Sequence, residues 1–584
     1  MIYTDITFPI PDSKTYELRL LRSGTEPYLY FRNGSKRVNG KLVHDRILIG
    51  KIATNIDSDQ PHFNPNDNYF KLKNIPIPSS EVSRTAKRGR KPKQISNGFS
   101  QANHCVDKTK SIMSSQSNNE SDSLHLEDGK GHILTTSLVA KEIGLTDILK
   151  GCMSSKLFND TMSSAAFLSL GAPGGLSNID DFTSLGAALG FHQMSTQDLS
   201  VLYKDLDSFC KDDFFRQWIA LHGSNSVCYD ITSISSYSSD IELVEMGYNR
   251  DHEPLQQVNL GLICAMQSKI PLFYAEYSGS INDFSNFPNV LSRARLLGLG
   301  ATTEMTLVMD GGFANLKTLS LLELAEMPYI LGMPLSKFPK IKAQTQSVFR
   351  NCYYSLQFFE LHGDLIRYHE IPYDINGKQE RLIMYRSDDS YSKQSKSLLC
   401  HIAQLREELS TKKNPPVSNM RRYSQFFHIN VEKDNSFTFT DNVEAQAAAL
   451  SLCGCFAILS SRKDMSVKAI LEEYRSKDCV EKSFGIVKND ILHERFRVKS
   501  SSTLRGKMFL VFIALVIRVR LEQLLRPVLT RNKIGIDSAI ERLKSISFIR
   551  QGDKWFTHNA LTKIQKEILY ALGAKLDMLV SNWV

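Results

Sequence analysis

The sequence predicts a mixed α/β fold: a mixed sheet with helices, interrupted by a β-rich insertion and preceded by a small β module and a helical region. Three observations support it. Hydrophobic residues make up 42% of the 584 residues, enough for a large core. Three strand-like apolar segments follow one another in mid-chain, and strand and helix patterns then alternate. A stretch that lacks this alternation separates the two parts of the predicted sheet.

The N-terminal part and the segment after it have different compositions. Residues 1–83 predict a β-rich module with short strands and turns at the Asn-Gly pairs that begin at Asn33 and Asn39. Residues 84–130 predict a basic and Ser/Asn-rich linker. Its first part, residues 84–93, contains six basic residues and no acid, and the part after it has few large apolar side chains.

The rest of the chain divides by its hydrophobic pattern. Residues 131–225 have apolar side chains at three- and four-residue steps and are predicted to form a helical region for DNA-end binding or dimer contacts. Residues 226–335 and 446–525 carry the strand–helix alternation of one core in two parts. Residues 336–445 predict a β-rich insertion around one polar helix, and residues 526–584 a C-terminal helical region.

Charge and cysteine content exclude several classes of protein. Lys and Arg number 71 and Asp and Glu 62, and a net charge of +9 indicates a polyanionic partner only where it is clustered. The ten Cys form no C-x2-C pair, the nearest two being Cys453 and Cys455. A zinc ribbon and a disulfide scaffold are therefore excluded, a reducing compartment is indicated, and the ten Cys are assigned to core packing.

Neither a leader nor a membrane span is predicted. The N-terminal residues lack the basic and then apolar pattern of a signal peptide. The longest apolar run, residues 508–517, is ten residues long, whereas a bilayer span needs about 20. We therefore expect a soluble protein of the cytoplasm without a membrane partner.

Two aspartates are candidates for a metal site. Asp230 lies at the end of the apolar strand predicted for residues 227–231, and Asp310 ends the strand predicted for residues 305–310. A buried carboxylate needs a partner or a metal, so two on one sheet indicate a divalent cation. The alternative is that each aspartate caps a turn or a helix N-terminus.

A long helix predicted from about Ser466 carries a third carboxylate. Four of its polar residues are spaced by 3, 4 and 7 positions: Tyr474, Lys477, Glu481 and Lys488. At about 100° per residue these side chains share one narrow face, and Glu481 lies at the margin of the apolar stripe with a cation on either side. The alternative is a solvated polar face with ordinary intrahelical pairs.

These residues resemble a known signature. They match the Y-x2-R-x3-E-x6-K pattern of one large family of bacterial insertion-sequence DDE transposases at every spacing, with Lys477 in place of the Arg. YDITSISSYS around Asp230 resembles the first aspartate block of that family, LVMDGGFAN around Asp310 resembles the second, and GYNRDHEPLQQVNLGLI between them is also similar. The resemblance runs in order from about residue 28 to about residue 525.

The resemblance implies a ribonuclease-H-like catalytic core that is split by an insertion between the second Asp and the Glu. It implies Asp230, Asp310 and Glu481 as the catalytic and metal-binding residues. They would hold two Mg²⁺ ions, for which we expect Mn²⁺ to substitute. Two such ions activate a water and stabilise the leaving oxygen of a phosphodiester. A DNA 3′-hydroxyl at the same site turns cleavage into strand transfer.

The resemblance also implies contacts with DNA phosphates near the scissile bond. Tyr474, Lys477 and Lys488 would make them, and the lysine at 477 replaces a bidentate guanidinium with a point charge.

Two basic segments are further DNA-binding candidates. Arg495 and Arg497 follow the helix, where the alternative is a solvated loop. Arg88 and Arg90 lie in the linker, which suits a minor-groove arm, the alternative being a plain basic linker that adds salt-sensitive affinity.

Other residues that could be taken for site residues have a simpler interpretation. A lone His in a loop, His252, is more often structural than catalytic. Phe214, Phe215 and Trp218 recur at helical steps and are predicted to lie in the core.

The sequence therefore predicts a transposase that binds the terminal inverted repeats of its own insertion sequence, cuts DNA at the element ends by two-metal-ion hydrolysis, and transfers the 3′-hydroxyl ends to target DNA. The expected partners are double-stranded DNA and a second copy of the chain in a synaptic complex, in association with a bacterial nucleoid. The alternatives are a ribonuclease-H-like nuclease without strand transfer and a catalytically silent DNA-binding protein derived from a transposase.

Overall fold

The computed structural model of the protein describes two stretches of the chain. In the N-terminal stretch it describes residues 2–3, 8–9, 16–20, 27–38, 41–52, 62–73 and 84–85. In the second stretch it describes residues 127–573 except 174, 188–190, 239, 252, 282, 302–304, 352–355, 413–418, 433–435, 552–553 and 558–559. The chain divides into two compact units, Met1–Asn119 and Glu120–Val584.

The first unit is built on antiparallel strands. Its elements are β1 (Ile2–Tyr3), β2 (Phe8–Pro9), β3 (Tyr16–Leu20), β4 (Pro27–Val38), β5 (Lys41–Ile52), β6 (His62–Pro65), α1 (Asp67–Lys73) and β7 (Arg84–Thr85). Five strands pair in the order β2-β6-β5-β4-β3, and β1 pairs with β7. A small apolar core forms around Leu29, Ile49 and Phe63.

One of the two turns predicted in this unit is wrong. Asn33 lies inside β4, and the register with β5 passes from Arg32 directly to Gly34. The extra residue is therefore a bulge in a continuous strand of 12 residues. The turn predicted at Asn39 and most of the predicted linker, residues 86–126, lie outside the described residues.

A helical layer opens the second unit. After β8 (Glu127–Lys130), its helices are α2 (Gly131–Glu142), α3 (Leu145–Cys152), α4 (Ser155–Ser169), α5 (Ile179–Ser184), α6 (Thr196–Ser208) and α7 (Lys211–His222). The prediction that Phe214, Phe215 and Trp218 are core residues is confirmed, because all three are buried. The Trp218 indole N–H also donates to the Pro271 carbonyl at 2.8 Å.

The next elements begin a sheet of nine strands. They are β9 (Ser226–Ser235), β10 (Gln257–Ala265), β11 (Pro271–Ser278), α8 (Asp283–Leu296), β12 (Thr306–Met309), α9 (Leu316–Leu324), β13 (Tyr329–Met333) and α10 (Pro339–Asn351). β9, β10 and β11 form an antiparallel meander, while β12 pairs parallel with β9 and with β13. The predicted mixed α/β fold is confirmed, and this order is the mixed sheet expected of a ribonuclease-H-like core.

The segment predicted as an insertion extends the same sheet. Its elements and the strand that follows are β14 (Gln357–Leu361), β15 (Asp364–Ile375), β16 (Lys378–Ser387), α11 (Asp388–Thr411), α12 (Met420–Ser424), β17 (Phe427–Val431), β18 (Phe437–Asp441), α13 (Val443–Ser451) and β19 (Cys455–Ser460). β19 lies between β13 and β16, antiparallel to both, so the order continues as β13-β19-β16-β15-β14. The β17–β18 hairpin and α11 build a separate small core around Tyr423.

The C-terminal part contains the longest helix. Its elements are α14 (Val467–Ser476), α15 (Asp478–Gly485), a π-helical turn (Ile486–Ile491), α16 (Ser501–Asn532), α17 (Ile536–Lys544), β20 (Ser547–Gln551), β21 (Lys554–Thr557) and α18 (Lys563–Ala571). The boundary predicted between residues 525 and 526 falls inside α16. The region predicted as helical after it also contains a hairpin, β20–β21, and β20 pairs with β8.

α16 is a helix of the protein interior. The apolar run at 508–517 is buried along its whole length, and Gly506 allows close packing, since a Cβ there would lie 1.6 Å from the Tyr203 carbonyl oxygen. Among the residues described, no helix combines the length and the apolar character needed to cross a bilayer.

The assignment of every cysteine to core packing is wrong for Cys210 and Cys400, whose side chains are exposed. Cys210 lies between α6 and α7, and Cys400 lies on the exposed side of α11. Four cysteines are buried as predicted: Cys228, Cys264, Cys453 and Cys479.

Candidate active site

Asp230 and Asp310 are placed side by side by the pairing of two parallel strands. Tyr229 of β9 is in register with Met309 of β12, so the next residue of each chain segment is an aspartate. The prediction that Asp230 ends its strand is wrong, because β9 continues to Ser235. Apolar alternation stops at Asp230, but the following Thr and Ser residues still pair with β10.

The Asp230 carboxylate is mostly buried. Its Oδ1 accepts a hydrogen bond from the Ile231 backbone N–H at 2.8 Å and lies 3.9 Å from an Arg250 guanidinium nitrogen. Burial raises the pKa of Asp230 to about 6, and the nearby Asp310 charge also raises it, whereas the Ile231 N–H and Arg250 act in the opposite direction. The Asp230 carboxylate is therefore held closer to neutrality than an ordinary aspartate.

The Asp310 carboxylate is stabilised as an anion. Burial acts to raise its pKa, but Lys477, the Gly311 backbone N–H and the Tyr474 hydroxyl together lower it below the ordinary value. The Tyr474 hydroxyl donates to Asp310 Oδ1 at 3.2 Å, and Lys477 Nζ lies 3.5 Å from the same oxygen. The side chain is 49% exposed, so it is open to a ligand.

Lys477 joins Asp310 to the third predicted carboxylate. Its Nζ lies 3.0 Å from Glu481 Oε1, and Glu481 is 60% exposed. Burial favours the neutral amine, but the charges of Asp310 and Glu481 outweigh it and raise the pKa of Lys477. Two of the four signature residues, Tyr474 and Lys477, therefore contact Asp310, and a third, Glu481, is connected to it through Lys477.

Lys488 is not part of this cluster. The single helix predicted from Ser466 is interrupted at Lys477, where α14 ends and α15 begins, and then continues as the π-helical turn that carries Lys488. A π-helical turn has a wider repeat than an α-helix, so the angular positions predicted at 100° per residue no longer hold beyond Gly485. Lys488 Nζ instead lies 2.7 Å from Asp251 Oδ2.

The loop between β9 and β10 forms ion pairs with two further basic residues, Lys488 and Arg495, which we call the outer cations. Asp251 pairs with Lys488, and Glu253 Oε1 lies 2.7 Å from an Arg495 guanidinium nitrogen. Asn249 is buried and fixes the loop, because its side chain donates to Ser235 Oγ at 3.0 Å and accepts from the Asp251 N–H at 2.8 Å. The sequence analysis marked this loop through the resemblance of its GYNRDHEP segment to the transposase family, but it did not predict these ion pairs.

The structure describes one of the remaining predicted residues, Arg497. Arg497 is exposed and has a left-handed backbone, with φ of 52°. Arg88, Arg90 and His252 lie outside the described residues.

Gly332 is a site residue that the sequence analysis did not identify. A Cβ at this position of β13 would lie 2.2 Å from the Tyr474 hydroxyl oxygen. Only a glycine lets that hydroxyl cross β13 and reach Asp310. The available signal was a glycine inside an apolar strand, which often marks a close approach.

The three predicted carboxylates are chemically suited to a divalent cation. Two of them, Asp310 and Glu481, are bridged by Lys477. Carboxylate oxygens are the ligands that hard divalent cations prefer, and the Lys477 ammonium demonstrates that a cation is stabilised between Asp310 and Glu481. In the part of the chain that the structure describes, no three or more His, Cys, Asp or Glu side chains are grouped closely enough to hold a metal ion. Lys477 therefore occupies the space between two of the three predicted carboxylates.

The sequence was compared with known families and structures. It matches the family model of the transposase DDE domain over residues 223–517, a span that includes Asp230, Asp310 and Glu481. It matches none of the curated proteins with which it was compared. Among solved structures, a cryo-EM structure of the piggyBac transposase synaptic complex with hairpin DNA is 11% identical, with a TM-score of 0.30, and the match covers 77% of this chain and 83% of that chain. Because the family model covers just over half of the chain, the protein belongs to the DDE transposase family.

Proposed function

We propose that the protein binds the terminal inverted repeats of its own insertion sequence, cuts DNA at the element ends, and transfers the 3′-hydroxyl ends to target DNA. The observation that carries the proposal is the placement of Asp230 and Asp310 side by side, with Glu481 joined to Asp310 through Lys477. In this proposal the partners are double-stranded DNA and a second copy of the chain in a synaptic complex, in association with a bacterial nucleoid.

Asp230, Asp310 and Glu481 would hold two Mg²⁺ ions, with Mn²⁺ able to replace them. When bound, such ions activate a water or a 3′-hydroxyl and stabilise the leaving oxygen of the phosphodiester. The protein's part is to position the carboxylates, and Lys477 and Tyr474 keep Asp310 charged in the free protein. If another cation neutralised the carboxylates, Lys477 would be free to contact a DNA phosphate.

The outer cations would bind the DNA backbone. Lys488 and Arg495 are only partly exposed and are already oriented by Asp251 and Glu253, whereas Arg497 is exposed. Arg88 and Arg90 would add affinity that falls as salt rises. Backbone contacts of this kind position the DNA without reading its sequence.

The test is cleavage and joining of labelled element-end DNA by the purified protein with Mg²⁺. We expect the wild type to cut at the end and join it to a target plasmid, and Glu481→Gln, Asp230→Asn and Asp310→Asn to bind the DNA without cutting it. Glu472→Gln is the matched control, since Glu472 is an exposed carboxylate on the neighbouring helix α14.

Three outcomes would contradict the proposal in different ways. Cutting by Glu481→Gln at the wild-type rate would remove Glu481 from the chemistry. Cutting without any joined product would favour a ribonuclease-H-like nuclease without strand transfer. Binding by a wild type that never cuts would favour a catalytically silent DNA-binding protein.

A further inference from the structure

Three buried cysteines meet directly beneath the candidate site. Cys228 of β9 is paired with Cys264 of β10 in the antiparallel register, and Cys479 of α15 packs onto them. The Cys228 and Cys479 sulfurs are 3.4 Å apart, and the Cys228 thiol lies 3.7 Å from the Cys264 carbonyl oxygen. All three are free thiols.

The position of the pair links two catalytic elements. Cys228 precedes Asp230 by two residues on the same strand, so both side chains lie on one face of the sheet. Cys479 precedes Glu481 by two residues in α15. A bond between these sulfurs would therefore join the strand of the first carboxylate to the helix of the third.

We propose that Cys228 and Cys479 form a reversible disulfide, which makes this pair an oxidative modification site beneath the carboxylates. A disulfide has an S–S distance of about 2.05 Å, so the two sulfurs need to approach by roughly 1.4 Å. The described residues contain no group of three or more His, Cys, Asp or Glu that fits a metal ion, which separates this thiol cluster from a metal site.

The exposure of the thiols sets the order of the reaction with hydrogen peroxide. Cys479 is 4% exposed, whereas Cys228 and Cys264 are 0% exposed, so the oxidant reaches Cys479 first. The Cys479 sulfur attacks one peroxide oxygen and the O–O bond breaks, giving a sulfenic acid and water. The Cys228 sulfur then attacks the Cys479 sulfur and displaces its hydroxyl as a second water. The two thiols lose two electrons and two protons, and the peroxide is reduced to two waters.

The disulfide would clamp α15 onto β9. Lys477, which contacts Asp310 and Glu481, lies at the junction of α14 and α15, two residues before Cys479. A covalent bond at Cys479 would restrict this junction, and a dithiol reductant would restore its freedom by thiol–disulfide exchange. The proposal does not depend on which nucleic acid the protein cuts.

The test is peptide mapping of the full-length protein after peroxide treatment, alkylation of the remaining thiols, and digestion without a reductant. We expect a cross-linked peptide that joins Cys228 to Cys479 and disappears after dithiothreitol. Cys264→Ala is the matched control, because it removes a buried thiol of the same cluster and leaves the pair intact. Cys228→Ala should lose the cross-link.

A second measurement covers the case in which a variant does not fold. In the wild type, the exposed Cys210 and Cys400 report that the oxidant has acted. We expect two further thiols, at Cys228 and Cys479, to become resistant to alkylation after denaturation. The proposal is overturned if both are still alkylated when Cys210 and Cys400 are oxidised, or if Cys479 pairs with Cys264 instead.

Discussion

Lys477 lies between two of the carboxylates that we propose as metal ligands. Its ammonium lies between Asp310 and Glu481 and offsets their mutual repulsion in the free protein. Under that proposal a bound cation displaces the lysine, so the lysine both supports the two carboxylates and competes for their ligand.

Lys477→Met should therefore bind Mn²⁺ more tightly than the wild type. Because Glu481 is largely exposed, the competing interaction is screened, and we expect about a fivefold gain in affinity. Titration of Mn²⁺ followed by electron paramagnetic resonance measures it without any DNA. Lys482→Met, which removes a lysine paired with Asp478 on the same helix, should leave the affinity unchanged. Weaker binding by Lys477→Met would show that the lysine only orders the site.

Gly332→Ala should destabilise the protein mainly through its contact with the Tyr474 hydroxyl at 2.2 Å, since the next residue met, the Gly311 backbone nitrogen, is 3.1 Å away. Overpacking of this kind costs about 1–3 kcal/mol of unfolding free energy. In the Tyr474→Ala background the same change should cost much less, and urea denaturation of the four proteins gives the coupling. Equal costs in both backgrounds would place the strain of Gly332→Ala elsewhere.

At the scale of single residues, the sequence could predict contacts between residues that are regularly spaced on one helix. The cluster of Tyr474, Lys477 and Glu481 follows from helical steps that remain regular up to Glu481. Gly332 could not be found in this way, since its role depends on a side chain that lies 142 residues further along the chain. The acids that pair with Lys488 and Arg495 depend in the same way on a contact between distant segments.

At the scale of elements, the loop between β9 and β10 forms ion pairs with two basic residues that we propose as DNA contacts. Asp251 and Glu253 place carboxylate oxygens where we expect phosphate oxygens to bind Lys488 and Arg495. Under the proposed function, DNA competes with groups of its own charge for these two side chains.

Asp251→Asn should strengthen binding of element-end DNA, because Lys488 loses its internal partner. We expect a gain of about three- to tenfold at a fixed salt concentration, measured by fluorescence anisotropy. Lys488→Gln should weaken binding and reduce its salt dependence. A loss of affinity in Asp251→Asn would mean that Asp251 orients Lys488 for DNA rather than competing with it.

Lys507 should make the stability of α16 depend on pH. Its ammonium is buried, donates to the Phe496 carbonyl and faces Arg497, and burial lowers the pKa of Lys507 to about 8. Between pH 8 and the ordinary lysine pKa of about 10.4, the unfolded chain holds a proton that the folded chain has lost, so the unfolding free energy rises with pH. The rise is about 3 kcal/mol for this group.

Chemical denaturation across that range measures the effect of Lys507. Lys507→Met should lack this part of the rise, whereas Lys499→Met, which removes an exposed lysine from the preceding loop, should keep it. If the unfolding free energies of the wild type and Lys507→Met changed with pH in parallel, Lys507 would not be the source of the rise.

Element prediction from the sequence succeeded where hydrophobic periodicity was clear. The series of strands from β9 to β12 and the helix around residues 508–517 follow from apolar runs. The extent of α16, which is 32 residues long, was missed because polar residues flank the apolar run and still remain helical. Asn33 was misread because an Asn-Gly pair suits a bulge as well as a turn.

At the scale of the whole molecule, the two ends of the second unit are joined. β8 pairs with β20 from Lys130 and Ser547 onward, and Lys130 Nζ donates to Ser547 Oγ at 2.8 Å. The domain boundaries predicted from the sequence remain predictions, but this pairing could not be read from composition, because β8 is only 4 residues long.

A fragment of residues 120–584 should fold alone, whereas a fragment of residues 131–584 should be less stable. The shorter fragment lacks β8, which removes the β8–β20 backbone hydrogen bonds, worth about 1 kcal/mol each, and exposes an edge of β20. Thermal denaturation and size-exclusion chromatography should show a lower midpoint and more association for it. Identical behaviour of the two fragments would show that β8 adds nothing to the C-terminal hairpin.

The insertion was predicted as a separate block because its pattern differs from that of the core. The sheet is nevertheless continuous, since β19 bonds to β13 on one side and to β16 on the other. The hydrophobic pattern of a segment indicates which side chains are buried, but it does not indicate which neighbouring strand the segment pairs with.

The position of β19 has a consequence for synthesis of the protein on the ribosome. β13 ends at Met333, and the strand that covers its free edge begins at Cys455. At about 5–20 residues per second, that partner emerges about 6–24 s later. During this interval β13 is an open edge, and the local hairpins of β14, β15 and β16 have time to form first. The nascent chain therefore waits for one strand to close its central sheet, and a ribosome that stalls within the insertion leaves an aggregation-prone edge unprotected.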